Sequence, residues 1–580
     1  MKKAAVVFLT AAIAWTGCSK IGDDILDPFN NNEGNVVTST VHYEATGDNT
    51  VSIADAEPEE DLIANTEFDR TISIVFSSTG AATVSGDEKG IVTVDGNHVT
   101  ADNTTTKEKV MYKLSGSSSD GFFKVYSKNK QAFVLDGLSL TNPSGAAINN
   151  QGKKRCFVVV NGTNSLADGA SYTATPSDED EKAAFFSEGQ LIFSGEGTLT
   201  VTAKGKSGIA SDDYVHFVAS PTIKVSSTAG HGIRGKDAVI VSDGTLSVSA
   251  SAAMKKGVTS DSLVVFNGGV TTIQVSGGTA YDDEDQEYKA SAGIKADYRF
   301  VMNAGSLTVT NSGQGGKGIS GDGEGYFQGG SVKVTVTGSN FGNSSSSDDN
   351  SKSAKGIKFD GNLYITAGDI VATAANHEAI ESKGILEISG GTVYAQSKDD
   401  AINSAGDMAI LGGCICAYST GNDGLDANGD LYLEGGTVYA IGSGGAEVAL
   451  DANTEEGHTL YVNGGNLVAI GGLERGAVLY QACYTATSWS KDTWYSFTIG
   501  TNTFAFKTPS SAGSGLVVSG ASQPAIMSGV TVSSGTSLNG MLTLGGSVSG
   551  GKEVELSAYS SGNGMGGPGG GGPGGWPGGR

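Results

Sequence analysis

Short runs of alternating apolar and polar residues, set off by glycine pairs, recur along most of the chain. In the stretch from Asp423 to Ala440, DGLDANGDLYLEGGTVYA, the residues Leu431, Leu433 and Val438 fall on one face, and Tyr432 and Tyr439 fall on the other. A period of two reads as half-buried strands, and no window shows the 3.6 period of a helix. A Gly or Ala followed by an aliphatic residue returns at Gly208, Gly232, Gly257, Gly293, Gly318, Gly356, Ala379, Ala401, Gly424 and Ala449. The spacing is 22–25 residues, apart from two longer steps of 36 and 38. Glycine pairs keep step at Gly268-Gly269, Gly329-Gly330, Gly390-Gly391, Gly412-Gly413, Gly435-Gly436 and Gly464-Gly465. Strands broken by glycine corners at this period predict an all-β solenoid, a parallel β-helix with N- and C-terminal β caps. Leucine-rich repeats share the period, but their Leu/Asn consensus is missing.

The pattern also divides the chain. Residues 1–17 read as a signal peptide, because a charged start precedes an apolar run too short to span a bilayer. Cys18 follows small residues as in a bacterial lipobox, and is expected to carry a lipid anchor. Residues 18–40 form a polar tether, 41–135 an N-terminal β region leading into the helix, and 136–475 the β-helix itself. Residues 476–560 form a C-terminal β cap, and 561–580 a Gly/Pro tail unable to build a core. The two long steps hold inserts at 279–288 and 339–350, expected on one side of the solenoid.

Charge narrows the partners. The chain has 62 acidic against 37 basic residues, a net charge of −25 with no long basic run. Nucleic acid is therefore excluded as an expected partner. Cys156, Cys414, Cys416 and Cys483 show no metal spacing and read as unpaired.

The run from Lys124 to Ile148, KVYSKNKQAFVLDGLSLTNPSGAAI, and then Asn161 to Gly169, NGTNSLADG, resembles a secreted carbohydrate-binding β-helix family. That family includes a clostridial cellulose- and polygalacturonate-binding protein. The resemblance implies a right-handed parallel β-helix like that of pectate lyases, with bound calcium. It assigns no ligand residues, so candidate sites come from repeat geometry.

Successive rungs lie about 4.8 Å apart, so equivalent positions form columns. Glu378, Asp400 and Asp423 precede their anchors, Glu381, Asp426 and Asp451 follow theirs, and Asp399 lies beside them. Stacked like charges repel unless neutralised. Calcium, which takes six to eight oxygen ligands, would do so. A solvated acidic edge with staggered side chains is the other open reading. Asp212, Asp261, Asp297, Asp322 and Asp360 form a further column, expected to cap turns through backbone N–H groups.

In the middle rungs the same columns hold Lys256, Lys317, Lys355 and Lys358, suited to an anionic sugar or to a plain ion-pair ladder. Tyr394, Tyr432 and Tyr439 point outward and offer flat faces to sugar rings. These features predict a calcium-dependent, non-catalytic polysaccharide-binding lipoprotein, monomeric, at the outer membrane or surface of a Gram-negative cell. Pectin, polygalacturonate or cellulose is the expected ligand. The alternatives are a calcium-dependent polysaccharide lyase, with Lys317 and Lys355 as catalytic bases, and an adhesin or structural protein.

Overall fold

The computed structural model describes residues 40–44, 58–173, 176, 179–342 and 351–562. The expected signal peptide, Cys18 and nearly all of the tether and tail lie outside the described residues. The chain divides into two units, Met1–Val41 and His42–Arg580. Every strand of the solenoid belongs to the second unit.

Each rung contributes a strand to each of three sheets. Sheet 1 holds the anchors and runs from Val92–Asp95 to Leu450–Ala452, with fifteen strands of which only the first pair, Val92–Asp95 with His98–Asn103, is antiparallel. Sheets 2 and 3 belong to one 30-stranded assembly bent along a corner. Sheet 2 runs from Arg70–Phe76 to Val478–Leu479, and sheet 3 from the last residues of Val110–Ser118 and of Gln131–Asn142, through Thr163–Asp168, to Asn466–Ile470. The corner is the glycine pair. Gly436, for example, has φ 79°, in the left-handed region, and an added Cβ would meet the preceding corner's Gly413 carbonyl at 2.8 Å.

Parallel pairing in register stacks each inward side chain on its equivalent one rung away. Met408, Leu431 and Leu460 pair in succession in this way and are fully buried. The earlier rungs fill the interior with aromatic rings. Phe193 stacks on Phe217 at 5.1 Å, and Phe300 meets Phe327 at 5.3 Å and Phe359 at 6.0 Å. Buried apolar area of this kind is the main favourable term in folding. The stack begins before residue 136. Ile72, Val99, Tyr112 and Phe123 are already in the core, although their rungs lack the Gly-aliphatic anchor by which the repeat is recognised in sequence.

The anchor glycine matches its sheet 3 neighbour in volume. A Cβ on Gly208, Gly232, Gly257, Gly293 or Gly318 would sit 2.1–2.3 Å from a Val or Ile methyl, Val334 Cγ1 in the last case. Where the anchor is Ala379, Ala401 or Ala449, the inward sheet 3 position of that rung is Ala395, Ala417 or Ala469. The interior thus holds roughly constant volume in those eight rungs, whereas Gly356 and Gly424 share theirs with Ala372 and Ala440.

Both ends are capped. At the C-terminus Leu516–Ser519 pairs antiparallel with Asn466–Ile470 and Cys483–Ala486 and so covers the last edge of sheet 3. A six-stranded antiparallel sheet, including Trp494–Ile499, Asn502–Lys507 and Ala525–Ser533, then folds back over the outer face of sheet 3. The four described cysteines are buried.

Gly318→Ala should destabilise the solenoid by about 1–3 kcal/mol through overpacking against Val334. Adding Val334→Ala should recover part of that loss, a coupling read from denaturation of both single variants and the double variant. Strictly additive effects would refute the volume match.

Candidate functional site

The outer face of sheet 1 carries two charged columns that change sign along the solenoid. Lys317 pairs in register toward Lys355 at one position, and Lys358, Glu381, Asn403, Asp426 and Asp451 follow one another at the other. The sign changes at Lys355. Its Nζ lies 2.6 Å from Glu381 Oε2 and 3.3 Å from Glu378 Oε2, and all three residues are buried. Burial alone would lower the lysine pKa, but the two carboxylates outweigh it and raise it. Lys355 is therefore a fixed cation, neither the proton acceptor nor the sugar contact expected of it. Glu381 is likewise corrected. It is neutralised by Lys355 and by Lys383, whose Nζ is 2.5 Å from Oε1, rather than left for a metal. Lys358 bonds Asp360 in place of a ligand.

That pairing extends down the basic half. Asp212 takes Lys182, Asp261 takes Arg234, and Asp297 and Asp322 take Lys295. The column expected to cap turns is an ion-pair ladder. Lys317 stands outside it, with no carboxylate within salt-bridge distance among the described residues. Burial, then the charges of Lys358, Lys355 and Lys352, push its pKa down to about 7.

The acidic half is different. Burial pushes up the Asp400, Asp423, Asp426 and Asp451 carboxyls, and neighbouring acids add to it. Asp426 has Asp400 as a close acidic neighbour, Asp423 has Glu447, and Asp451 has Glu474. Two carboxylates so placed hold a proton or a cation between them. No Lys, Arg or His among the described residues forms an ion pair with Asp400, Asp423, Asp426 or Asp451. Backbone amides help only in part: Asp423 N–H donates to Asp400 at 3.1 Å, and Val448 N–H donates to Asp423. Glu378 and Asp399 converge instead with His377, their ligand atoms all within 4.8 Å. The sequence reading missed His377, Glu447 and Glu474. His377 directly precedes Glu378, whereas the two glutamates lie in turns between the repeat anchors.

The tyrosines do not join this face. Tyr432 and Tyr461 stack on the outside of sheet 2, 5.0 Å apart and 12° from parallel. Tyr432 Oη donates to Asp430 Oδ2 at 3.0 Å, and Asp430, Asp407 and His458 bring ligand atoms together beside it. Tyr43 covers Tyr432 at 5.5 Å, held by its N–H to Glu434 Oε1 and by His42 Nδ1 at Glu434 Oε2, both 2.9 Å. Tyr394 and Tyr439 require correction. They sit on sheet 3, 2% and 0% exposed beneath the C-terminal sheet, with Tyr439 Oη donating to Lys507 O at 2.8 Å. Tyr432 is corrected too: it is 9% exposed beneath Tyr43. The expected carbohydrate contacts thus fall on three faces, and none of the three tyrosines is an open ring.

A three-sided parallel β-solenoid with ionic columns along one side defines the class of protein. Residues 95–401 and 350–474 match the family of carbohydrate-binding domain-containing proteins, and the chain belongs to that family. One similar solved structure is that of the polysaccharide lyase-like protein from C. thermocellum, determined as a gadolinium derivative. It is 22% identical, covers 44% of this chain and 96% of that chain, and gives a TM-score of 0.36. No curated protein matches the chain.

The carboxyl pairs fix the sign of a pH effect. An unfolded aspartate titrates near 3.9. Where the folded value is raised, the folded state holds more protons above that pH, so stability falls as pH rises from about 4 through the raised values. In chelator, the thermal midpoint should therefore decline from mildly acidic to alkaline pH, and Asp423→Asn should flatten the decline. A midpoint independent of pH would contradict the assignment.

Proposed function

We propose that this chain is a calcium-dependent polysaccharide-binding protein that holds its polymer without cutting the backbone, anchored by lipid at Cys18 on the outer surface of a Gram-negative cell. The observation that carries the calcium reading is the set of three close carboxyl pairs, Asp400–Asp426, Asp423–Glu447 and Asp451–Glu474, with no basic partner among the described residues. Hard oxygen donors of this kind suit calcium. Asp400, Asp423, Asp426 and Asp451 would hold the ion, with Glu447 and Glu474 as additional donors. Bound calcium supplies positive charge between protein carboxylates and those of an acidic plant polysaccharide such as polygalacturonate. Without it, a chain of net charge −25 would repel that polymer. Lys317, uncommitted to any acid, lies farther along the same face and is placed to meet the same polymer. Tyr461, part-exposed beside the covered Tyr432, is the ring that would suit a neutral glucan such as cellulose.

A lyase is the second reading, favoured by one observation: Lys317, with its pKa pushed down to about 7, is suited to accept a proton near neutrality. Lys355 has no part in it.

The purified protein should be retained on immobilised polygalacturonate in calcium and released by chelator. Asp400→Asn combined with Asp423→Asn should weaken retention roughly tenfold or more, about 1.4 kcal/mol. Retention unchanged by chelator would overturn the calcium reading. During the same incubation, absorbance from unsaturated uronate ends should stay flat. A rise that Lys317→Ala abolishes would replace binding with elimination.

A further inference from the structure

Asp61, His216 and Ser242 come together on the outer face of sheet 2, far from both the acidic columns and the tyrosines. Asp61 ends the short turn Glu59–Asp61, His216 lies on the strand Tyr214–Ala219, and Ser242 follows the strand Ala238–Val241 at the corner toward sheet 3. His216 Nδ1 is 2.8 Å from Asp61 Oδ2, and His216 Nε2 is 2.9 Å from Ser242 Oγ. Asp61 and His216 are each 1% exposed, whereas Ser242 is half-buried and reaches solvent.

The hydrogen bonds fix the direction of the relay. Asp61 Oδ1 accepts from Arg155 Nε at 2.7 Å and from Tyr214 Oη at 2.6 Å. Burial would favour the protonated acid, but the bonds from His216, Arg155 and Tyr214 win and hold it as the carboxylate. A carboxylate only accepts, so Nδ1 of His216 must carry a proton. In the neutral ring Nε2 is then an acceptor, and the Ser242 hydroxyl donates to it. That is the arrangement in which an imidazole serves as base to a serine.

The turn bearing Ser242 is pinned as well. Asp243 accepts from Ser220 N at 3.0 Å and from Ser220 Oγ at 2.9 Å, and Ser220 holds a left-handed φ of 41°. On the next rung Asn267 follows Phe266 as Ser242 follows Val241. Its amide oxygen accepts from Asn303 Nδ2 at 2.8 Å, which fixes that side chain beside the turn. Anchoring of the N-terminal turn accounts for the bonds from Asp61 to Arg155 and Tyr214. It does not call for the outward link from His216 to a solvent-reaching serine.

We propose that Ser242 is a nucleophile, His216 its base and Asp61 the residue that positions the base, and that together they hydrolyse small acyl esters. The form of such an ester that a carbohydrate-binding chain meets is an O-acetylated sugar. Ser242 Oγ bonds to the acyl carbon as its proton passes to His216 Nε2. The C–O bond to the sugar breaks and that proton goes to the departing sugar oxygen. Water then attacks the acyl-serine, gives its proton to Nε2, and releases the carboxylic acid as Ser242 recovers its own proton.

The test uses the full mature chain with a fluorophosphonate probe, 4-nitrophenyl acetate and an acetylated polysaccharide. We expect covalent labelling that maps to Ser242, and acetate release from both esters. Ser242→Ala should abolish labelling and lower the rate by about 10³-fold or more, with an unchanged thermal midpoint. Asp61→Asn should lower kcat and shift the acid limb of the pH–rate profile to lower pH, because the imidazolium loses its carboxylate. A merely structural Asp61 would leave that limb in place. No labelling and no ester hydrolysis at neutral or mildly alkaline pH would overturn the proposal. So would labelling that persists in Ser242→Ala. The ester assay needs no calcium and no glycan retention, so its failure is separable from failure of the binding reading.

Discussion

Register between parallel rungs is the constraint on which everything else in this molecule depends. Once Ile402 pairs with Leu425 and Leu425 with Leu450, every other position of those strands is placed as well. Inward, this stacks like on like and builds a continuous apolar interior. Outward, the same spacing of about 4.8 Å brings like charges together. The strain between Asp426 and Asp451 is thus a by-product of the order that makes Leu425 and Leu450 pack. The chain resolves it in two ways. In the basic half Lys182, Arg234 and Lys295 each find an acid, commonly one rung away, and Lys317 is left without one among the described residues. In the acidic half carboxyls lie beside carboxyls, and a proton or a cation must complete them.

The sheets divide the functions that one sequence repeat mixes together. Consecutive residues of a strand point to opposite sides, and consecutive strands of a rung belong to different sheets. Asp423, Tyr432 and Tyr439 are close in sequence yet lie on sheet 1, sheet 2 and sheet 3. Tyr432 lies under Tyr43, and Tyr439 under the C-terminal sheet. The ester relay lies on sheet 2 as well, many rungs from Tyr432.

The repeat was legible because its signals are local. The anchors, the glycine corners and the inward Leu431, Leu433 and Val438 arise from short-range patterns, and the structure has them where the pattern puts them. The inserts were legible too: Tyr288 of the first meets Phe341 of the second at 5.1 Å. What was hidden depends on chain that returns from elsewhere. Nothing near Tyr439 announces that Tyr495 and Phe506 will cover it. Glu381 reads as one more acid in its column until Lys355 and Lys383 are seen on either side. Asp61, His216 and Ser242 share no motif at all, since their meeting requires the N-terminal turn to lie across sheet 2.

Capping at both ends has an evolutionary consequence. Antiparallel strands cap sheet 1 at Val92–Asp95 and sheet 3 at Leu516–Ser519, so the array lengthens or shortens most simply by gain or loss of whole units from within. Unequal recombination between neighbouring repeats would do this without uncovering either capped edge. Each added copy of the unit around Asp423 would extend the acidic track by one step and leave both caps untouched. The reach of the protein along a polymer is therefore a heritable length, adjustable in increments of a single rung.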